Sequence, residues 1–575
     1  METKYTPYDI CRLYVSDLPD TFPARIRRRL EGYLRAKSLA KLVECSSLIS
    51  SGSNSTPEVI RALMQVEAFF KKNADLADES KCLAAAQEAF IANEAVCKET
   101  NARLDKYYLE RDQLDPDLQK MLNRMEYWIS DTLGSFNTFI GNLPKYVTVT
   151  SGATTNTSRR KSLPYLKIRK GMDATRGAEK YLQCLSQYFG YGTLRINQNH
   201  SNRVEFVPKN WKTYRTIACE PTGNTPLQLA FDGFGKEQLR KQGFNLSDQS
   251  RNQRLARQGS IDNSIATIDL KAASDTVAFN AVAWLFPEPW FQYLNDLRCR
   301  CYHGSVNGSY EKFSSMGNGS TFVIETLIFA AATVAIESKT RCVYGDDVII
   351  DSNKVDDFMK LMSFLGFSVN TDKSYTDGPF RESCGSNWYN GEDVTPFYLR
   401  ECGNRKTVTA HNVNGLAMIA VPDGKLWEYL RFLTESEKLQ RVPFNQVSTS
   451  GIWIDVGSAY SQGLIKNVYS RKDTSRYPRY RAYVCKQRTK LVYDTRTLFL
   501  WNLQKLQKKV VLEEGPPKMF DLSHHGLVEK TVSPDECSRV PAFGHKFVRK
   551  WVGWVKPPSM TPVHLYRWTE YLDRS

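Results

Sequence analysis

Cys342-Val343-Tyr344-Gly345-Asp346-Asp347-Val348-Ile349-Ile350 sets two short apolar runs on either side of a Gly-Asp pair. Apolar β-formers flanking such a pair read as a hairpin, because a two-residue turn needs residues that tolerate positive φ, and Gly and Asp do. Two adjacent carboxylates, Asp346 and Asp347, then sit at its tip. Like charges in a turn are costly unless they stay solvated or hold a cation, so the stretch reads as an acidic surface turn or as part of a metal site.

Upstream, Ile265 to Leu270 is a β-type run with Asp269 near its end, and Ser274-Asp275 are expected to cap a helix carrying Val277, Ala281, Trp284 and Leu285 that stops at Pro287. The Gly-rich loop Ser314-Ser315-Met316-Gly317-Asn318-Gly319-Ser320-Thr321 opens an apolar helix from Phe322 to about Ile336. Its two glycines would let the backbone approach a ligand closely. Beyond the hairpin, Val355, Phe358, Met359, Met362 and Leu365 make a helical stripe ended by Gly366 at the C′ position. The order strand, helix, helix, hairpin, helix, strand predicts an α+β unit. It folds as a ferredoxin-like antiparallel sheet with helices on one face and puts Asp269 beside the hairpin tip.

The chain has 575 residues, with 78 Lys and Arg against 62 Asp and Glu, a formal charge of +16. That length predicts several domains, and that charge a polyanionic partner such as nucleic acid. The longest apolar run, Leu327 to Ile336 with Thr333 inside it, is too short to span a bilayer, so a soluble intracellular protein is expected. The 13 cysteines include no Cys-x-x-Cys pair and read as reduced thiols. The first 140 residues read as mostly helical: Thr56-Pro57-Glu58 is an N-cap with Pro at the first helical position, followed by Val59, Leu63, Val66 and Phe70 at helical spacing. A second helix is expected from Lys81 to about Leu104, its charges read as a solvated face.

Three basic stretches suit phosphate contact. Thr148 to Ser158 is polar and runs into Arg159, Arg160 and Lys161, a loop able to follow a nucleic-acid backbone. Lys209, Lys212 and Arg215 stand among Trp211 and Tyr214, ahead of Glu220-Pro221, and suit strand contact or a triphosphate clamp. Residues 466–490 hold nine Lys or Arg, among them Arg476, Arg479 and Arg481, interleaved with Tyr469, Tyr477, Tyr480 and Tyr483 against one acid, Asp473. Cations alternating with aromatics fit backbone contact and base stacking on RNA.

In this order, Asp269 with Asp275, the loop Ser314 to Gly319 with Thr321, Tyr344-Gly345-Asp346-Asp347, and Lys373 resemble motifs A, B, C and D of viral RNA-directed RNA polymerases. With Gly378 to Gly385, Asp393 to Tyr398, and Val207-Pro208-Lys209-Asn210 with Glu220-Pro221, the likeness is closest to the replicase catalytic subunit of the small positive-strand RNA phages, the leviviruses. The motifs cover about residues 205 to 400. The resemblance implies a right-hand polymerase with largely helical fingers and thumb: an N-terminal and fingers region at 1–255, a palm at 256–400, and a thumb and C-terminal region at 401–575. It also implies work in the bacterial cytoplasm with host elongation factors Tu and Ts and the largest ribosomal protein of the small subunit. One departure is Glu325, which stands where many such enzymes place an Asn four residues after the Thr.

Joining a 3′-hydroxyl to an α-phosphate calls for a lowered hydroxyl pKa and for charge stabilisation on the entering and leaving oxygens, which two Mg²⁺ ions about 4 Å apart supply. Asp269 and Asp346 are the expected shared ligands, with Asp347 as an additional or outer one, and Mn²⁺ as a substitute ion. Lys209, Lys212 and Arg215 would hold the triphosphate, with Ser315, Gly317, Asn318 and Thr321 lining the nucleotide. Lys373 would protonate the leaving pyrophosphate. Asp275 would accept a hydrogen bond from the ribose 2′-hydroxyl, its alternative being a helix cap. Reverse transcription, or RNA binding without catalysis, are the other readings. Separated carboxylates converging on one point speak against a mere binder, which has no use for acids facing phosphate.

Overall fold

The computed structural model describes residues 5–48, 55–150, 152–158, 162, 167, 172–188, 193–402, 405–444, 448–469, 476–492, 538–553 and 563–573, and for 450, 466–469, 476–492, 538–553 and 563 the backbone alone. Helix α1 (Pro57–Lys71) begins as its sequence predicts, with Thr56 as N-cap and Pro57 in the first turn. Val59, Leu63, Val66 and Phe70 are all buried. Asp78 then caps α2 (Glu79–Leu109), a single helix of 31 residues that outruns the predicted span at both ends. Strands β1 (Ser201–Pro208) and β2 (Tyr214–Cys219) form an antiparallel hairpin whose tip carries Lys209 to Thr213.

The central sheet is made of β3 (Ile265–Lys271), β4 (Arg341–Tyr344), β5 (Asp347–Asp351) and β6 (Ser368–Val369), in the spatial order β6-β3-β5-β4 with every neighbour antiparallel. Helix α3 (Thr321–Ala335) lies between β3 and β4 in the chain, and α4 (Val355–Phe364) between β5 and β6. Side chains alternate across a strand, and the core follows that period. Ile268, Leu270, Val343, Val348 and Ile350 join the core shared with α3 and α4, whereas Ile265, Cys342 and Ile349 face the other way, towards Leu255. That second face is also covered: Arg381, on the hairpin of β7 (Phe380–Ser383) and β8 (Ser386–Tyr389), is fully buried and donates through Nε to the Ile265 carbonyl at 2.7 Å.

Two expectations about elements need correcting. Ser274 and Asp275 do not cap a helix. Ala273–Asp275 is a separate 3₁₀ turn entered through Ala272 at φ +50°, and the next helix runs only over Phe279–Leu285 with Ala278 as its N-cap. The charges of α2 are not all solvated, since Glu94 is buried and pairs with Lys312. Gly366 does end α4 at φ +90°, where a Cβ would collide with Thr100 of α2.

The apolar cores divide the chain differently from boundaries at 255 and 400. One runs from Cys97 to Phe367 around the central sheet. The other joins Tyr5 to Phe70 with Leu399 to Ile465 and with Leu565, Trp568 and Leu572. Among the described residues no helix is long and apolar enough to cross a membrane.

Candidate active site

The hairpin turn needs its glycine more than its aspartate. Gly345 has φ +60°, whereas Asp346 does not enter the left-handed region, the φ pattern of a II′ turn with Gly first. A Cβ on Gly345 would stand 2.6 Å from the Phe322 ring and 3.3 Å from Glu325 Oε1, both on α3, so the turn is pressed against that helix. Asp347 pairs directly with Asp269 across β5 and β3, and opposed residues of an antiparallel pair share a face. Asp346 projects beyond them at the tip, where it is exposed. The strand pairing thus sets Asp269 and Asp347 side by side, with Asp346 at the adjoining tip.

Asp269 is held by groups the sequence did not single out. Asn370 Nδ2 donates to its Oδ2 at 2.6 Å, and its backbone amide donates to Ser374 Oγ at 3.1 Å. Both partners sit in the Asn-Thr-Asp-Lys-Ser turn after β6, where nothing but adjacency to β3 could have marked them. Asp347 meets the backbone and thiol of Cys384 at the β7–β8 turn. Burial first, and then the Asp346 charge, push its pKa up to about 7. The Asp346 carboxyl is accessible yet ringed by protein. That partial desolvation, followed by the Asp269 charge, raises its pKa as well.

Such mutual elevation marks negative charge that the protein leaves uncompensated. Among the described residues no three His, Cys, Asp or Glu side chains stand close enough to chelate an ion by themselves. Mg²⁺ does not require that: it takes hard oxygen ligands, commonly one or two carboxylates completed by water and substrate phosphate. Asp269 and Asp346 fit this chemistry.

Cations gather on one side. Lys373 Nζ lies 3.9 Å from Asp269 Oδ2. Lys209 is within electrostatic reach of Asp346 and Asp269, and desolvation, then the neighbouring Arg215 and Lys373 cations, lower its pKa. Lys212 departs from the expected clamp: its ammonium turns to Glu44 at 3.4 Å and lies over the Trp211 ring. A further cation went unnoticed in the sequence. Lys72, at the end of α1, sits 3.6 Å over the Tyr398 ring, near Arg400 and Lys373.

The Gly-rich loop is corrected in detail. Gly317 has φ +115°, and a Cβ there would collide with the Ala218 carbonyl of β2, and the Ala218 amide donates to the Met316 carbonyl at 2.8 Å. The close approach is therefore to a strand of this chain. Ser315, Asn318 and Thr321 are buried, with Thr321 Oγ1 donating to the Ser315 carbonyl and Asn318 Oδ1 accepting from Ser320. They shape the loop instead of reaching outward.

Behind the hairpin, Ser274 Oγ donates to Glu325 Oε2 at 2.7 Å. Burial pushes the Glu325 carboxyl up to about 8. Asp275 Oδ1 accepts from Lys312 Nζ at 2.8 Å. Arg159, Arg160 and Lys161 lie outside the described residues, and so do the side chains of Arg476, Arg479 and Arg481, whose backbone belongs to the strand Arg476–Val492.

Residues 47–411 match the family described as RNA replicase, beta-chain. The chain belongs to that family. It is 38% identical over 380 residues to the RNA-directed RNA polymerase subunit beta of Enterobacteria phage SP, covering 63% of this chain and 66% of that protein. To the corresponding subunit of Escherichia virus Qbeta it is 37% identical over 366 residues, 62% of each. It thus spans a little under two thirds of the length of these RNA replicase relatives. The beta chain of Escherichia phage MS2 matches over 208 residues at 41% identity, 35% of this chain and 38% of that one. Among solved structures, an RdRp complex aligns with a TM-score of 0.37 at 10% identity, over 62% of this chain and 36% of that one. The BmCPV RNA-dependent RNA polymerase at elongation state aligns at 0.34 and 11%, over 63% and 36%.

Proposed function

We propose that this chain is an RNA-directed RNA polymerase, a nucleotidyltransferase that copies a phage RNA genome from ribonucleoside triphosphates. The observation that carries the reading is Asp269 and Asp347 on paired strands with Asp346 in the turn beside them, the latter two with raised pKa, within a member of the replicase beta-chain family. The β6-β3-β5-β4 order supports a ferredoxin-like palm, with fingers before it and a thumb after it.

Asp269 and Asp346 would hold two Mg²⁺, which when bound lower the pKa of the 3′-hydroxyl and neutralise charge on the entering and leaving oxygens. Asn370 fixes the Asp269 carboxylate in one orientation by occupying Oδ2. Lys209 and Arg215 would take the triphosphate. Lys373, exposed beside Asp269, would hand a proton to the departing pyrophosphate. Asp275 would accept the ribose 2′-hydroxyl. A site built to bond a substrate hydroxyl rejects the analogue lacking it by as much as about 10⁴-fold.

The test is nucleotide incorporation by Asp269→Asn and Asp346→Asn. Each is expected to lose incorporation and keep its thermal stability and RNA affinity. Near wild-type incorporation by either, with Mg²⁺ present, overturns the assignment.

The relatives are named as subunits, so we infer that this chain also works in an assembly, in the bacterial cytoplasm. Elongation factors Tu and Ts and the largest small-subunit ribosomal protein are the proposed companions. Purification from bacteria as a fully active monomer would count against them.

A further inference from the structure

Asp275 is not held by a surface group. The ammonium that binds its Oδ1 belongs to Lys312, whose side chain has no solvent exposure at all. Glu94 of α2 supplies a second carboxylate at 3.4 Å, and the Phe90 ring lies 4.3 Å from the same nitrogen. A cation withdrawn from water in this way is costly unless fully paired, so its place is fixed by the residues around it.

Every neighbour of Lys312 is pinned in turn. Glu94 Oε2 accepts the Glu311 amide at 2.7 Å, and Asn101 Nδ2 donates to the Glu311 carbonyl at 2.8 Å. Arg298 donates to the carbonyls of Lys312 and Phe313. The Phe313 amide reaches the Val277 carbonyl at 2.7 Å, and the Cys97 thiol lies on the Asp275 carbonyl. Glu94, Cys97 and Asn101 share one face of α2, which therefore buttresses both the 3₁₀ turn and the 310–313 segment.

We propose that Lys312, locked in place by Glu94, is the positioning residue that makes Asp275 a sugar sensor, and so sets the preference for ribonucleotides. This rests on the reading of Asp275 given above. The Asp275 side chain keeps 20% of its exposure, and its only side-chain bond among the described residues is through Oδ1. Oδ2 is thus left for a substrate hydroxyl. A carboxylate only accepts, and a charged acceptor bonds a hydroxyl about twice as strongly as a neutral one. Although burial pulls its pKa down, the Asp275 and Glu94 carboxylates hold Lys312 above its ordinary value, so the cation is permanent.

The alternative is a triad that only staples α2 to the turn. The two are separated by kcat/KM for CTP and dCTP in the intact replicase, measured for wild type, Asp275→Ala, Lys312→Met, and the pair together. Lys312→Met is expected to reduce the CTP preference about tenfold or more, mainly by slowing CTP. Added to Asp275→Ala, it should change the ratio no further. Because Lys312→Met alone strands two carboxylates, Lys312→Met is also made with Glu94→Gln, which removes one charge of each sign and keeps an acceptor for the Glu311 amide. That variant should fold and still lose selectivity, whereas Glu94→Gln alone should lower Tm and keep the ratio. A wild-type ratio in the Lys312→Met, Glu94→Gln protein overturns the proposal. An unchanged ratio in Asp275→Ala instead overturns the sugar reading itself, and the role of Lys312 with it.

Discussion

Glu325 occupies the position where an amide was expected, and its surroundings make it resemble one. A buried carboxyl with a pKa of about 8 is protonated at neutral pH, presenting one donor and one acceptor as an amide does. In an unfolded chain its pKa is about 4.3, so the folded protein binds this proton the more tightly. The resulting stability is complete below the unfolded value and is lost as pH rises towards 8. Glu325→Gln should keep the Ser274 contact without this loss, so the Tm advantage of the variant should grow from pH 5 to pH 8.5. A constant difference between the two melting curves across that range would refute the assignment. Glu325 was visible in the sequence only as a departure from a pattern. What makes the departure tolerable is burial, which no local residue announces.

At the scale of elements, the hairpin is legible because its signals are local: a turn glycine, adjacent acids and flanking β-formers. The pairing of β4 with β5 follows from their two-residue turn, and α1 from its cap, whereas β3 reaches β5 only across the long stretch that holds α3. The glycines of the 314–321 loop show where local reading stops. Sequence gives the freedom of Gly317 but not the Ala218 carbonyl it approaches, which lies far away in the chain. The Glu94–Lys312 pair fails for the same reason, with α2 and the 310–313 segment joined only by the fold. Gly345 tests the hairpin. Gly345→Ala meets both an unfavourable φ and the Phe322 ring, so the turn must shift and carry Asp346 with it. We expect kcat to fall at least about tenfold, given that displacements near 1 Å cost up to about a hundredfold. RNA affinity should be unchanged. Full activity of the variant would mean that the tip is not held against α3.

For the molecule as a whole, the charge of +16 predicts binding that weakens steeply with salt. Neutralising Arg159, Arg160 and Lys161 together should flatten the slope of log affinity against log salt by about 2, at about 0.7 for each single-strand phosphate. An unchanged slope places that loop away from the RNA.

The joint core of residues 5–70 and 399–572 has a bearing on how the molecule is made. A ribosome releases the N-terminal helices first, yet the apolar surfaces that cover them are released only after the whole central sheet. The core from Cys97 to Phe367 can close around itself during synthesis, whereas the helices of residues 5–70, which pack on one another, wait for the cover that residues 399–465 supply. Exposed apolar surface in a waiting intermediate is where chains aggregate or are captured by chaperones. A nascent chain arrested near residue 400 would therefore carry a closed sheet and an open, sticky beginning.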